Sequence, residues 1–426
     1  MTFFLLLGAL IALLWFGMPM FAALFLLPLA VLFFVEGGVP AVGEMVIGKL
    51  DGYLLVAIPL FMLMAHIMVR GKVVIDLYNA AFALLRGVRG GVGIATVAAC
   101  TIFAAISGSS VATALTIGKI AIPQMLRYGM SRKGAFGVVA GGGTLGILIP
   151  PSAPMVLYAY VTETSVAALF LAGLIPGLLM ALMFATYCFI TEGKARVPED
   201  EPVPEAVHLA LARAGWSLSL PIFVLGGIYL GVFTATEAAG TGTLYALLIA
   251  ALIYRTLTWR DLVHGVQEAT RTSAMLLLII AGAAIYGYML TKLRVPQELT
   301  QLVADFGLSR IGFLIAMMLL LFLLGLVLES FSIILLTMPA ILPLLDVLEI
   351  DKVWYGILLT LSLEMALITP PVALNLVVIK AITGAPLGEI NRSILPYMLM
   401  LAFGTAMLIA FPDIALWLPR VAGYGG

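Results

Sequence analysis

Four interruptions in long apolar stretches hold the residues whose chemistry matters most. Glu329 and Ser330 stand in the middle of an apolar run over 310–345, and Ser107-Gly108-Ser109-Ser110 breaks another over 94–126. Pro150-Pro151-Ser152-Ala153-Pro154 and Thr369-Pro370-Pro371 break two more, over 135–160 and 353–382. A carboxylate at membrane depth is costly and marks an ion or substrate path; the plainer reading of Glu329 is a charge snorkelling from a helix end. Ser107 and Ser109 can bond their own helix backbone, but adjacent Gly108 and the mid-run position favour a binding site. A broken helix frees carbonyls and N–H groups, tolerated in lipid only where they line a cavity or bind something. Half-helix N-termini favour anions and unwound carbonyls favour cations.

The elements that position these breaks are membrane helices. Of 426 residues, 63% are hydrophobic and 10% charged, too few charges to cover a soluble surface. Many apolar stretches approach the ~20 residues that cross a ~30 Å hydrocarbon core. They run continuously, without the alternation of barrel strands. Net charge is zero, and no basic patch points to nucleic acid. The apolar segment 3–35 reads as a mature helix split near Gly17-Met18-Pro19, not as a removed signal peptide. Cys100 and Cys188 lie in apolar segments and read as small core residues. No histidine–cysteine set has metal-ligand spacing, and no phosphate loop is present. Residues 192–215 form an aqueous loop joining two halves. Spans are expected at about 216–233, 238–254, 272–290 and 394–418.

The halves match at one offset of 220 residues. Pro123 pairs with Pro343, Pro150 and Pro151 with Pro370 and Pro371, and Pro176 with Pro396; Ser109 then pairs with Glu329. Repeats whose corresponding helices are interrupted mark secondary transporters, with the binding site at the breaks. Arg86 and Arg89 precede the 94–126 stretch, and Arg127, Arg132 and Lys133 follow it. The positive-inside rule puts both ends in the cytoplasm, which makes the stretch a re-entrant hairpin. The matching stretch is followed by Asp346, Glu349 and Asp351, which favours the opposite side and hence inversion.

Longer motifs carry a family resemblance. Phe103-Ala-Ala-Ile-Ser-Gly-Ser-Ser-Val-Ala-Thr113, Gly146-Ile-Leu-Ile-Pro-Pro-Ser152, Leu169-Phe-Leu-Ala-Gly-Leu-Ile-Pro-Gly177, Thr234-Ala-Thr-Glu-Ala238 and Ile368-Thr-Pro-Pro-Val-Ala-Leu-Asn375 occur in that order. Together they resemble the large permease subunit (DctM type) of tripartite ATP-independent periplasmic (TRAP) transporters, over the chain up to about residue 400. The resemblance implies an all-α polytopic protein of the bacterial inner membrane, with inverted repeats, two re-entrant hairpins, two broken helices and elevator-type transport. It implies sodium as coupling ion, no organic cofactor, and an organic anion such as a C4-dicarboxylate or sialic acid as cargo. Its partners would be a small four-helix membrane subunit and a periplasmic substrate-binding protein, besides membrane lipid. With no helices before residue 1, the chain resembles the unfused form.

Carried over residue by residue, the resemblance puts one sodium site at Ser107, Ser109, Gly146, Ile149 and Pro151. A second falls at Gly325, Glu329, Ala366, Thr369 and Pro371. Hydroxyls, a carboxylate and free carbonyls are what a hard cation takes. Two positions depart from the family pattern: Glu329, where Asp is more usual, and Ala366, where Gly is. Ser110, Ser152 and Asn375 are candidate substrate contacts. Residues 1–92 would be scaffold, 93–192 the first transport repeat, 193–309 a linking loop with scaffold and arm helices, and 310–426 the second repeat. Glu237 reads equally as a helix cap or as a functional acid, and Glu364 and Lys380 have no assigned role. A stand-alone sodium–carboxylate symporter is the alternative function. An enzyme would need a nucleophile–base set that the sequence lacks, and a channel would not couple to an ion gradient.

Overall fold

The computed structural model describes residues 2–38, 42–71, 73–194, 207–371 and 373–424. Among them the regular elements are helices, with one isolated bridge between Arg89 and Lys194. Eight helices are long and apolar enough to cross a membrane. Leu5, Phe34, Leu182, Leu252, Leu319 and Phe403 are each more than half exposed. A soluble surface would be penalised for such a density of bare apolar side chains, but hydrocarbon accepts it.

The breaks fall where the residues require. Gly91–Ser107 and Ser110–Arg127 form the first hairpin, and Arg132–Leu148 and Ala153–Thr162 the first broken helix. Arg310–Gly325 and Ser330–Val347 form the second hairpin, and Lys352–Leu367 and Leu374–Thr383 the second broken helix. Each hairpin reverses at a residue that starts the second arm as its N-cap, Ser109 in one and Glu329 in the other. The second arms coincide in bounds at the offset of 220. Ser131 and Asp351, also 220 apart, cap the broken helices with their side chains. The register continues upstream, where Val73–Leu85 answers Val295–Asp305.

The two repeats interleave. Leu374–Thr383 packs on the second arm of hairpin one, and Ala153–Thr162 on the second arm of hairpin two. Arg132–Leu148 and Lys352–Leu367 pack on each other, and Val166–Thr191 and Leu387–Ala410 flank them. A second group is built on Trp259–Lys292, which packs on Met20–Glu36 and Ala57–Arg70, with Ala235–Leu248 on Ala57–Arg70; Val207–Tyr229 joins it through Ala235–Leu248 and lies chiefly on Val73–Leu85. The hairpins are not equivalent. The second arm of hairpin one lies along Arg132–Leu148; its counterpart Ser330–Val347 packs instead on Trp259–Lys292 and Val295–Asp305.

Three boundaries differ from the sequence expectations. Residues 207–215, expected in the linking loop, are helical: Val207–Tyr229 is one helix whose first two turns are rich in alanine and leucine; the expected loop positions 195–206 lie outside the described residues. The expected span 272–290 is the end of a 34-residue helix, Trp259–Lys292, opened by a reciprocal Thr258–Asp261 capping box. At ~1.5 Å per residue it is roughly 51 Å long, and its first turns carry Arg260, Asp261, His264 and Glu268, which an apolar window passes over. The last span stops at Ala410 because Pro412 has no N–H to continue it, and Asp413–Val421 follows as a separate amphipathic helix.

Candidate functional site

The tip of hairpin one is closed by a ring of hydrogen bonds. The Ser109 N–H reaches Ser107 Oγ at 3.4 Å, Ser107 Oγ meets Thr113 Oγ1 at 2.9 Å, and Thr113 Oγ1 donates to the Ser109 carbonyl at 2.8 Å. Ser109 Oγ accepts from the Ala112 N–H and caps the second arm. The tip seats directly on the first broken helix. A Cβ on Gly146 would fall 2.5 Å from the Ser109 carbonyl, and one on Gly108, whose φ is +58°, 2.6 Å from the Pro151 carbonyl oxygen. Ser107, Ser109, Gly146 and Pro151 are therefore brought together, with buried Ile149 between the last two in sequence. Pro150 and Pro151 have no N–H to offer the carbonyls of Gly146 and Ile147, so the helix end presents oxygens that its own ladder does not use.

The second set is looser. A Cβ on Gly325 would sit 2.4 Å from the Ala366 methyl, so these two positions are in contact. Glu329 is half-buried and accepts from Ser332 Oγ at 3.5 Å. Thr369 donates its hydroxyl to the Met365 carbonyl at 2.7 Å, which leaves the oxygen lone pairs to a ligand, and Pro371 is exposed beside it. The carbonyls of Ala366 and Leu367 lose their usual donors to Pro370 and Pro371; that of Ala366 takes the Thr369 N–H at 3.1 Å instead. Both sets offer hard oxygen donors, hydroxyl and carbonyl in the first and carboxylate and carbonyl in the second, which suits a small hard cation.

A cavity of about 150 Å³ joins the hairpin tips. Ser109 and Ser110, Ala153 and Pro154, Ser330 and Phe331, and Leu374 all line it. These are the first residues of all four helical segments that restart after a break. Each helix start carries about half a positive charge and unpaired N–H groups. Glu329 lines this cavity and also an adjoining cleft of about 810 Å³, shared with Gly325, Ala366 and the Trp15–Phe21 turn. The space can take an anion at the helix starts and cations at the carbonyl ends beside it.

The candidate substrate contacts divide. Ser110 lines the cavity, but its Oγ lies 2.7 and 2.9 Å from the two carboxylate oxygens of Glu364. Ser152 is fully buried and caps Ala153–Thr162 through the Met155 N–H. Asn375 is also fully buried, with Nδ2 3.5 Å from the Ala140 carbonyl, where the broken helices cross. Neither lines the cavity. Glu237 is a cap: its carboxylate accepts from the Thr234 N–H at 2.8 Å and closes a capping box. Two residues emerge that the sequence reading left without a role. Thr113 stands one turn after Ser109, a spacing that is visible in the motif. Glu364, opposite Thr144 in the register, carried its own signal, a carboxylate within the apolar run 353–382.

Comparison with known proteins accords with this architecture. The model of the DctM component of tripartite ATP-independent periplasmic transporters matches residues 7–414. The C4-dicarboxylate TRAP transporter large permease of Pseudomonas aeruginosa is 39% identical over 93% of each chain. The sialic acid TRAP transporter large permease of Vibrio cholerae is 32% identical over 97% of this chain and 98% of its own. The Alcanivorax borkumensis YdaH transporter has the same fold, with a TM-score of 0.63 at 16% identity, covering 88% of this chain and 87% of that one. A match over nearly the whole chain, with two hairpins and two broken helices meeting at one cavity, makes this protein a polytopic membrane permease of the DctM family of TRAP transporters.

Proposed function

We propose that this chain is the large permease of a bacterial inner-membrane system that imports an organic anion with sodium. The observation that carries the reading is the convergence of four helix starts on one cavity. Four partial positive ends favour a carboxylate there, and the oxygen-rich breaks beside them favour cations. Relatives that carry a C4-dicarboxylate or a sialic acid support a carboxylate cargo. A periplasmic binding protein would deliver it, and a small membrane subunit would complete the complex. Reconstituted with both partners, the permease is expected to accumulate substrate only under an inward sodium gradient and only with the binding protein present. Uptake by the permease without any binding protein would instead favour a stand-alone sodium–carboxylate symporter. Uptake that ignores sodium would remove the ion assignment.

The transport motion in this proposal is an elevator. The interleaved repeats, 91–191 and 310–421, would slide as a body against the scaffold group. One part of the interface lies between Ser330–Val347 and Trp259–Lys292, where Gly287 faces Pro339; another lies between Gly91–Ser107 and the helices Val73–Leu85 and Ala57–Arg70. Cysteines at Gly287 and Pro339 are expected to stop uptake when cross-linked and to restore it on reduction. Full uptake by the cross-linked protein would exclude sliding at this interface.

A further inference from the structure

The two candidate cation sets differ in charge. The second owns a carboxylate, Glu329; the first is built from hydroxyls and carbonyls, all neutral. Glu364 alters that balance. It lies on Lys352–Leu367 of the second repeat, wholly buried, yet both its hydrogen-bond partners belong to the first set's immediate surroundings. Ser110 follows the Ser109 tip directly and reaches the carboxylate at 2.7 Å from 254 positions away in sequence. The Ile147 N–H, next to Gly146, donates to the same carboxylate at 3.1 Å across 217 positions. Gly146 and the Ser109–Ser110 backbone are themselves in contact. The carboxylate thus stands directly behind the tip, against the two stretches that make the first set.

Neutral donors do not balance a buried carboxylate; a counter-charge or a proton must. No lysine, arginine or histidine is among its hydrogen-bond partners. In the register the matching residue is Thr144, whose hydroxyl donates to the Gly141 carbonyl at 2.6 Å. The first repeat therefore returns no charge to the second, whose site already has Glu329. We propose that Glu364 is the anionic partner of the first cation site, supplied by the opposite repeat from one layer behind the ligands. It is a positioning and charge-balancing residue. With it, each site has one carboxylate, and occupation of the first depends on the repeats staying docked.

This inference rests on the reading of the first set as a sodium site, and the test separates the two. Sodium titration of the thermal midpoint of the purified chain, against potassium at constant ionic strength, reads occupancy without transport. A Glu329→Gln background isolates the first site. There, Glu364→Gln, which keeps the shape and removes the charge, is expected to raise the half-saturating sodium concentration roughly tenfold. Glu364→Asp keeps the charge but shortens its reach to Ser110 Oγ and the Ile147 N–H, and is expected to hold that concentration within a few-fold. A structural brace would predict Glu364→Asp to be at least as weak as Glu364→Gln, because the shorter side chain disturbs the same hydrogen bonds. Unchanged sodium dependence in Glu364→Gln, or a loss in Glu364→Asp as large as in Glu364→Gln, would overturn the proposal. If Glu364→Gln does not fold, retention or loss of sodium affinity in Glu364→Asp decides alone. Absence of any sodium-specific stabilisation in the Glu329→Gln background would remove the sodium reading of the first site together with this inference.

Discussion

Glu329→Gln is expected to lower uptake at physiological sodium to a few per cent and to raise the sodium requirement roughly a hundredfold. The figure corresponds to about 2.7 kcal/mol, within the range of about 2–5 kcal/mol for deleting one partner of a desolvated charged contact. Glu329 is the N-cap residue of the second arm of hairpin two, but its carboxylate accepts from none of that helix's backbone N–H groups; among the described residues its hydrogen-bond partner is Ser332 Oγ, at 3.5 Å. Its carboxylate is thus held weakly and lies open to the cavity and the adjoining cleft. Glutamine keeps the length and loses the charge, so loss of sodium affinity isolates the electrostatic part. Glu329→Asp should keep most of the affinity, because the charge remains and only the reach shortens. At the register partner, Ser109→Ala should have a smaller effect, roughly fivefold in sodium requirement, because it removes a neutral ligand and a helix cap worth about 1 kcal/mol. Sodium-dependent uptake in proteoliposomes checks all three. An unchanged half-saturating sodium concentration in both Glu329→Gln and Ser109→Ala would refute the two assignments.

Which parts of this architecture could be read from the chain follows from the range of the interactions. Helix breaks are local: Pro-Pro and Ser-Gly-Ser disrupt the ladder wherever they occur, so the four interruptions and their register were visible in composition and spacing alone. The offset found from prolines returned in the helix bounds, down to matching caps at Ser131 and Asp351. Where helical and apolar signals part, the reading failed. The polar first turns of Trp259–Lys292 are helical because of a capping box, not because they are apolar. The site was legible as two sets of residues but not as one cavity, since sequence says nothing about how the hairpins face each other. The partners of Glu364 lie 217 and 254 positions away in the other repeat, a contact that only the interleaved packing creates. The same packing withdrew Ser152 and Asn375 from the cavity. Both follow or flank a break, as a ligand would, but the crossing helices bury them.

Gly146→Ala is expected to abolish transport by a different route, unseating the tip of hairpin one without removing a ligand. The added Cβ would lie 2.5 Å from both the carbonyl carbon and oxygen of Ser109 and 2.6 Å from the Ser110 nitrogen. All three are backbone atoms of a tip held by its own hydrogen-bond ring, so no side chain can rotate away to make room. Either the tip or the helix must shift, at a cost of about 1–3 kcal/mol for overpacking a tight contact. The shift would separate Ser109 from the helix-end carbonyls and Ser110 from Glu364 together. Uptake and sodium affinity of the first site should therefore fall in one step, with the protein still inserted and folded. The register supplies the internal control. Position 366 corresponds to 146 and is already alanine, with its methyl turned to Gly325. The second repeat thus places its glycine on the hairpin side of the same junction, and Gly325→Ala should clash with that methyl as Gly146→Ala clashes with the tip. Ala366→Gly should relieve the Gly325→Ala defect. Nothing comparable can relieve Gly146→Ala, because its obstacle is main chain. Full sodium-dependent uptake by Gly146→Ala, or no rescue of Gly325→Ala by Ala366→Gly, would show that these junctions are not what seats the hairpins.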